Sequence, residues 1–517
     1  MRWVRKRDSP NANQKETTMG IYRMKNYQVT SIKGFLTPSV LAFGMLFTHA
    51  ASAQLTNASG SPAANAIIGD IQVGSSSPEA AVAIAIENLC PQLITRQRAQ
   101  QNSAVQTDLL GRCGDLINEN TPQVAGSLRQ VAPEEMATQE TDIVELSSNQ
   151  LNSIGSRLAG LRSNMQTSSQ QASLSSTSPR LIAFNLNGYG SGAGDGIASS
   201  GRLGVYINAT IGTGDKDETA KESGFDIDTT SVTIGADYRL NGGAFIGAAL
   251  GVNSSESEMS NNGGDVESDG ISLMVYGTKS ISDALYIEAT LGSGQYDYDT
   301  SRNLNYVARG NAVAQTASAS TDADMNFASI GFGFNPSYAQ DKGMQISYTG
   351  RLNYLDADVD GFTEVMSNPS ANGFGMNLEI AGQEIQSLTS VLAVQVSKVF
   401  GTSSGVIIPF AELSYIHEFE DDARTIQARF ANDPFSNGFN QSNGAFPSGA
   451  DASNNGQSVP TIISIVTDAP DTDYFRFAFG TSGILPKGKN WFVSADTTLG
   501  LEGTSYYSLT AGLRGEF

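Results

Sequence analysis

The sequence predicts an all-β transmembrane barrel of about 12 antiparallel strands, closed, over residues 201–517, behind a short and mainly α-helical segment. Three observations lead there. From Arg202 onward apolar and polar residues alternate, segment after segment, with the period of two that marks a strand with one apolar and one polar face. The polar face is small and hydrophilic, rich in Gly, Ser, Thr and Asn, as a watery or plugged lumen requires. No apolar run after the N-terminal segment reaches the ~20 residues of a membrane helix.

Residues 1–53 differ from the rest. They hold eight of the 31 Lys/Arg but only two of the 52 Asp/Glu. Lys25 and Lys33 precede a short apolar stretch, Phe35 to Phe47, and Ala51-Ser52-Ala53 forms an A-x-A site. This is the layout of a secretory signal peptide cut between Ala53 and Gln54. Residues 1–23 are charged and patternless ahead of a second Met at 24, which fits a mis-assigned start.

Residues 54–178 read as a short helical domain. Asn57 to Pro78 is rich in Ser, Asn and Ala. Val105, Leu109, Cys113, Leu116 and Ile117 then share a helix face, and Leu151, Ile154, Leu158, Leu161 and Met165 recur at spacing 3-4-3-4. The second stripe fits either ordinary helix packing or a helix lying in a lumen. Cys90 and Cys113 are the two cysteines of the chain. In an exported protein they are expected to form a disulfide, closing a loop worth ~3 kcal/mol; two free buried thiols are the alternative. Residues 179–200 form a linker, whose Gly188–Gly196 stretch matches a phosphate loop only in composition.

The strands are expected at about 202–212, 229–240, 244–256, 266–279, 284–297, 323–336, 343–356, 385–400, 405–418, 473–485, 490–501 and 505–517. Their even number puts both barrel ends on one side. Short connections, such as Asn241-Gly242-Gly243, alternate with long polar ones, the asymmetry of outer-membrane barrels. Tyr238, Tyr354, Tyr415, Phe475 and Trp491 lie near strand ends, as an interfacial girdle would. Strand parity turns Arg202, Asp237, Arg239, Glu288, Arg351, Glu412, Arg476, Asp496, Arg514 and Glu516 inward. Charges in a narrow lumen must be paired or hydrated, so these are expected to form an ionic lattice that grips a helix over 150–165. The longest connection, Asp421 to Asp473, carries Phe430, Phe435, Phe439 and Phe446 and is expected outside the cell.

Composition narrows the function. A net charge of −21 argues against nucleic acid as a partner. The chain has two histidines, and His49 belongs to the signal peptide. His417 alone excludes a multi-His metal site, and a Ser-His-Asp triad would have to use it. It reads instead as a rim residue near the end of a strand, and Asp421-Asp422 beside it as the start of a solvated loop. Asp468, Asp471 and Asp473, and likewise Asp215, Asp217 and Glu218, lack EF-hand spacing and read as loop charge. No catalytic residue, metal or cofactor is expected, and the protein is read as no enzyme.

The stretch Pro409-Phe410-Ala411-Glu412-Leu413-Ser414-Tyr415-Ile416-His417-Glu418-Phe419, followed by a polar loop and then by 474–485, 491–501 and 506–517, resembles the C-terminal β-domain of autotransporters (type V secretion). The final Phe517, with Leu513, Ala511 and Leu509 on its face, resembles the signal for outer-membrane assembly, although Gly515 stands where a bulky residue is usual. The resemblance covers roughly 201–517. It implies a twelve-stranded, monomeric barrel in the cell outer membrane, through which its N-terminal neighbour passes. It also implies that the helix from Gln150 to Arg162 threads the barrel. Expected partners are outer-membrane lipid and lipopolysaccharide, the barrel-assembly machinery and periplasmic chaperones. The function expected is anchoring or translocation of the protein's own short N-terminal segment. A porin-like channel for small solutes is the alternative, and an outer-membrane hydrolase a more distant one.

Overall fold

In a computed structural model the alternating segments form an antiparallel sheet that closes on itself. The structure describes residues 77–117, 121–170, 202–336, 344–402, 405–434, 452–454, 457–459, 461–485 and 489–516, all within one compact unit. The long strands are β1 (Leu203–Lys216), β2 (Phe225–Leu240), β3 (Ala244–Met259), β4 (Gly264–Ser280), β5 (Leu285–Ala308), β6 (Asn311–Phe334), β7 (Met344–Val359), β8 (Gln383–Lys398), β9 (Gly405–Glu418), β10 (Asp473–Leu485), β11 (Lys489–Leu499) and β12 (Thr504–Glu516). Each pairs with the next, and β12 returns to β1, from Gly204 opposite Glu516 to Lys216 opposite Thr504. Lipid dictates this closure, because an open edge would leave backbone groups unpaired in hydrocarbon.

The outer wall is the apolar half of the alternation. Val205, Ile207, Ile234, Leu250, Ile271, Leu273, Phe477, Phe479, Leu509 and Leu513 are all exposed on it. Inside, several aromatic side chains lie flat against glycines of the next strand. A Cβ on Gly235 would stand 2.5 Å from the Tyr206 ring, and one on Gly247 would stand 2.4 Å from that of Tyr276. Glycine is needed at both positions for the aromatic to fit. The inner face is thus less uniformly hydrophilic than the sequence suggests.

Two strands run well past their expected ends. β5 and β6 have 24 residues each, where sequence reading stops at 297 and resumes at 323. Apart from Val307 near the hairpin tip, the large outward apolar residues do end at Leu291 and begin again at Ile330, with Asp297, Asp299, Asp322 and Asp324 exposed between them. Lipid contact therefore ends there, while the hairpin continues for ~55 Å beyond Leu291 along β5. Its inner face continues too, with Tyr296, Tyr298, Leu304, Tyr306, Val313 and Ala317 buried.

What covers that face is the N-terminal segment. Helices α1 (Pro78–Arg98), α2 (Ala104–Ile117) and α3 (Thr121–Arg129) lead into a 3-10 turn (Glu134–Ala137) and a long helix, α4 (Thr138–Gln170). Ser77 caps α1 by accepting from the Ala80 amide at 3.4 Å, with Pro78 in the first turn. The Cys90–Cys113 disulfide joins α1 to α2. A four-stranded sheet stands beside these helices, in the order Ile463–Val466, Thr425–Phe430, Leu378–Ile380, Phe362–Thr363. Leu89, Leu93, Leu109, Leu116 and Leu128 share one core with Leu304 and Tyr306 of β5 and with Ile380, Ile426 and Phe430 of that sheet. This cap lies at the end of the barrel that carries the connections 217–224, 360–382 and 419–472. The opposite end carries the three-residue connection 241–243 and the start of β1.

Helix α4 starts twelve residues before the expected Gln150. Ile143 and Leu146 extend the apolar stripe backward, and both are buried. Among the described residues no helix is long and apolar enough to cross a membrane; α4 crosses inside the barrel.

Candidate functional site: the occupied lumen

The lumen holds α4 by polar side chains spaced down one face. Asp142 accepts hydrogen bonds from Ser268 (2.9 Å) and Tyr298 (2.7 Å) near the cap. About two and three turns below, Gln150 Nε2 donates to Asn253 Oδ1 at 2.6 Å, and Asn208 Nδ2 donates to Ser153 Oγ at 2.9 Å. Near the 241–243 turn, the Arg157 guanidinium pairs with the Asp237 carboxylate, both side chains almost wholly buried (1% and 2% exposed). Tyr276 donates to Asp237 at 3.2 Å, and the guanidinium stacks over the Tyr206 ring at 5.1 Å. Ile154, Leu158 and Leu161 pack between these contacts against Tyr206, Phe245, Met274 and Tyr276. The helix therefore leans on the β1–β5 wall.

The other wall is looser. Gly155 lets the helix pass Arg351, whose Nη2 lies 2.8 Å from where a Cβ would be. Farther along, a polar cavity of roughly 110 Å³ separates α4 from the wall; its lining includes Glu145, Asn152, Glu412, Tyr474 and Arg476.

The inward charges named from parity divide into groups. Asp237 forms an ion pair with Arg157 of the helix. Arg351 pairs with Glu288 at 2.8 Å and Arg476 with Asp496 at 2.8 Å, each within the wall. Glu412 accepts from Gln395 at 3.2 Å. Arg239 lies near the 241–243 turn, over the Phe245 ring at 5.8 Å, and Arg514 is half-buried beside Arg157. Arg202 departs from expectation: it is exposed, because it precedes the first paired residue of β1 and reaches water at the barrel's end. Glu516 ends β12, and its side chain lies outside the described residues. Among the described residues these charges include a buried pair with the helix at Arg157–Asp237 and two pairs inside the wall, and Arg476 also faces Glu145 of α4. Arg157, Gln150 and Ser153 were missed, since the stripe was read from its apolar members alone.

Of that stripe, Ile154, Leu158 and Leu161 are buried and Leu151 is half-buried; the side chain of Met165 lies outside the described residues. So do Ala53, Gln54, Phe517, Phe435, Phe439 and Phe446. Leu509, Ala511 and Leu513 face outward. Phe430 is not at the surface: it is fully buried in the core shared with the cap. His417 stands on the outer wall, with Nδ1 2.9 Å from Asp473 and its ring edge-on to Phe419. The acidic loop residues are engaged by the protein itself. Glu218 pairs with Arg129 at 2.9 Å, Asp468 accepts from Thr219 at 2.8 Å, and Asp471 accepts from the Glu502 amide at 2.8 Å. Among the described residues no group of three or more His, Cys, Asp or Glu could hold a metal.

A closed barrel with an apolar outer belt, polar end loops and a helix in its lumen defines an outer-membrane β-barrel of the self-occupied kind. Residues 205–452 match the family model described as the autotransporter β-domain. Solved structures similar to the chain include the translocator domain of the autotransporter NalP from Neisseria meningitidis, at 15% identity and a TM-score of 0.44, covering 62% of this chain and 90% of that one. The β-domain of the Bordetella autotransporter BrkA is 14% identical, with a TM-score of 0.40 over 61% of this chain and 100% of that one. The transport unit of AIDA-I from Escherichia coli is 10% identical, with a TM-score of 0.37 over 69% and 99%. No curated protein matches the sequence.

Proposed function

We propose that the barrel carries its own N-terminal segment to the outer face of the membrane and holds it there as a seated cap. The observation that carries this reading is the direction of α4. The helix enters at the end with the long connections, where Asp142 meets Tyr298, and reaches the opposite end at Arg157 and Asp237. In an outer-membrane barrel the short turns face the periplasm and the long loops the exterior. Everything before α4 then lies outside. The cap is tied to those outer connections at several points: Arg129 to Glu218, Asp108 to the amides of Gly373 (3.0 Å) and Gly375 (2.9 Å), and Arg424 to Glu140 (2.7 Å). Export begins at the signal peptide of residues 1–53, and insertion at the terminal strand that ends on Phe517. Lipopolysaccharide, the assembly machinery and periplasmic chaperones are the partners that such a route requires.

An epitope inserted between Gln100 and Gln101, in the exposed turn after α1, tests the reading. It should bind antibody on intact cells. Binding only after the outer membrane is permeabilised would place the cap in the periplasm and overturn the proposal.

A further inference from the structure

Arg302 lies on the part of β5 beyond the lipid belt, and its side chain is 2% exposed. Its planar fork is engaged in several directions. Nε and Nη2 donate to the two oxygens of Glu364 at 2.9 and 2.5 Å. Nη1 donates to the carbonyls of Gln130 and Val131 at 3.0 and 3.1 Å, and Glu135 stands 3.7 Å away. Glu364 belongs to the connection between β7 and β8, and its Oε2 also accepts from the Leu378 amide at 2.6 Å. Gln130, Val131 and Glu135 belong to the cap, at the bend where it turns down into α4. The barrel side thus supplies a finished bidentate pair, and the cap supplies acceptors that complete the fork. Only arginine presents donors to a carboxylate and to two carbonyls at once. The tie between Arg129 and Glu218 is less sheltered, with Glu218 47% exposed.

We propose that Arg302 is the positioning residue that seats the cap, fixing the exported segment against the barrel mouth by capturing the carbonyls at residues 130–131. This rests on the reading that the cap is displayed outside. Without Arg302 those carbonyls are buried with no donor, and the bend loses the contact that sets its angle. The barrel itself does not need the cap to satisfy the Arg302–Glu364 pair, so loss of seating should leave the barrel folded.

The test uses the full-length protein in outer membranes, with protease added to intact cells. Arg302→Met keeps most of the side-chain volume and removes the donors. Cleavage within 77–131 should accelerate at least about tenfold, while the barrel keeps the heat-dependent gel mobility of a folded barrel. Arg302→Met with Glu364→Gln removes the stranded carboxylate as well. It should remain fast, because the carbonyls still lack a donor. Arg302→Lys should be intermediate. If the double variant resists protease like the parent, carbonyl capture does not seat the cap and the proposal fails. If Arg302→Met yields no folded barrel, Arg302→Lys is read instead: cleavage as slow as the parent's would overturn the proposal, and faster cleavage from a folded barrel would support it. Cleavage only by protease placed in the periplasm would instead refute the display reading.

Discussion

Replacing Arg157 by methionine isolates the grip on α4. The substitution keeps an apolar chain of similar length beside Tyr206 but leaves the Asp237 carboxylate buried without its cation. Breaking a buried pair from one side costs about 3–5 kcal/mol, which is a factor of roughly 10² to several thousand in an equilibrium. Ile154, Leu158, Leu161 and the Gln150–Asn253 bond still favour the seated helix. The change should therefore appear as brief departures of α4 rather than as an unfolded barrel. Single-channel recording in planar bilayers reads this directly. The parent should be nearly closed, and a chain lacking 54–178 should be open. Arg157→Met should flicker toward the open level, with an open fraction raised by about two orders of magnitude. Adding Asp237→Leu should quiet it again, because a buried pair replaced on both sides by apolar groups costs little. A single variant as closed as the parent, with an unchanged urea midpoint, would refute the idea that this pair holds the helix.

Three further outcomes follow from other parts of the chain. Replacing Cys90 and Cys113 by serine should weaken the cap by ~3 kcal/mol, seen as faster surface proteolysis with unaltered barrel mobility; equal resistance would mean that the shared core suffices. Asp297 and Asp322 face each other across β5 and β6 on the exposed wall, and like charges directly opposite destabilise a sheet. Asp297→Asn should raise the melting temperature at low salt, with a gain that shrinks as salt is added; a fall would contradict the repulsion. The bend into α4 should respond to pH. Burial pushes Glu134 up to about 7 against Arg129 and Ser223, with Glu79 adding repulsion, and pushes Glu135 up to about 8 against Arg302, with Glu364 and Glu134 opposing its charge. Both are raised above their ordinary 4.5, so the seated cap binds more protons than the released one. Its protease resistance should be greatest below about pH 4.5, fall as the pH rises through 7 to 8, and fall less in Glu135→Gln.

The twelve strands could be read from the sequence because lipid imposes one rule on every outward position, and Ile207, Leu273 or Leu509 obeys it without reference to any distant residue. The rule stops where lipid stops. Beyond Leu291 the outward residues become Ser293, Gln295 and Asp297, and the same strand then looks like a loop. The cap was out of reach for a related reason. Leu109 and Leu116 show that α2 has a buried face, but nothing local says that Leu304 and Tyr306, nearly two hundred residues later, complete the core.

The lumen shows the limit most sharply. Parity assigns a wall residue to the inside, and Asp237 was placed correctly on that ground, but its partner depends on the register of a helix that parity does not address. With 3.6 residues per turn, Gln150, Ser153 and Arg157 fall on the same side of α4 as Ile143, Ile154 and Leu161, while Glu145, Asn152 and Gly155 fall opposite. An apolar stripe interrupted by an amide, a hydroxyl and a guanidinium is a poor core helix in a water-soluble domain, where each would be buried without a partner. Against a barrel wall that offers Asn253, Asn208 and Asp237 at matching heights, the same interruptions become the contacts that fix both depth and rotation. The stripe alone left open whether α4 packs in a domain or lies in a lumen; its polar members favour the lumen, because only the inner wall supplies their complements.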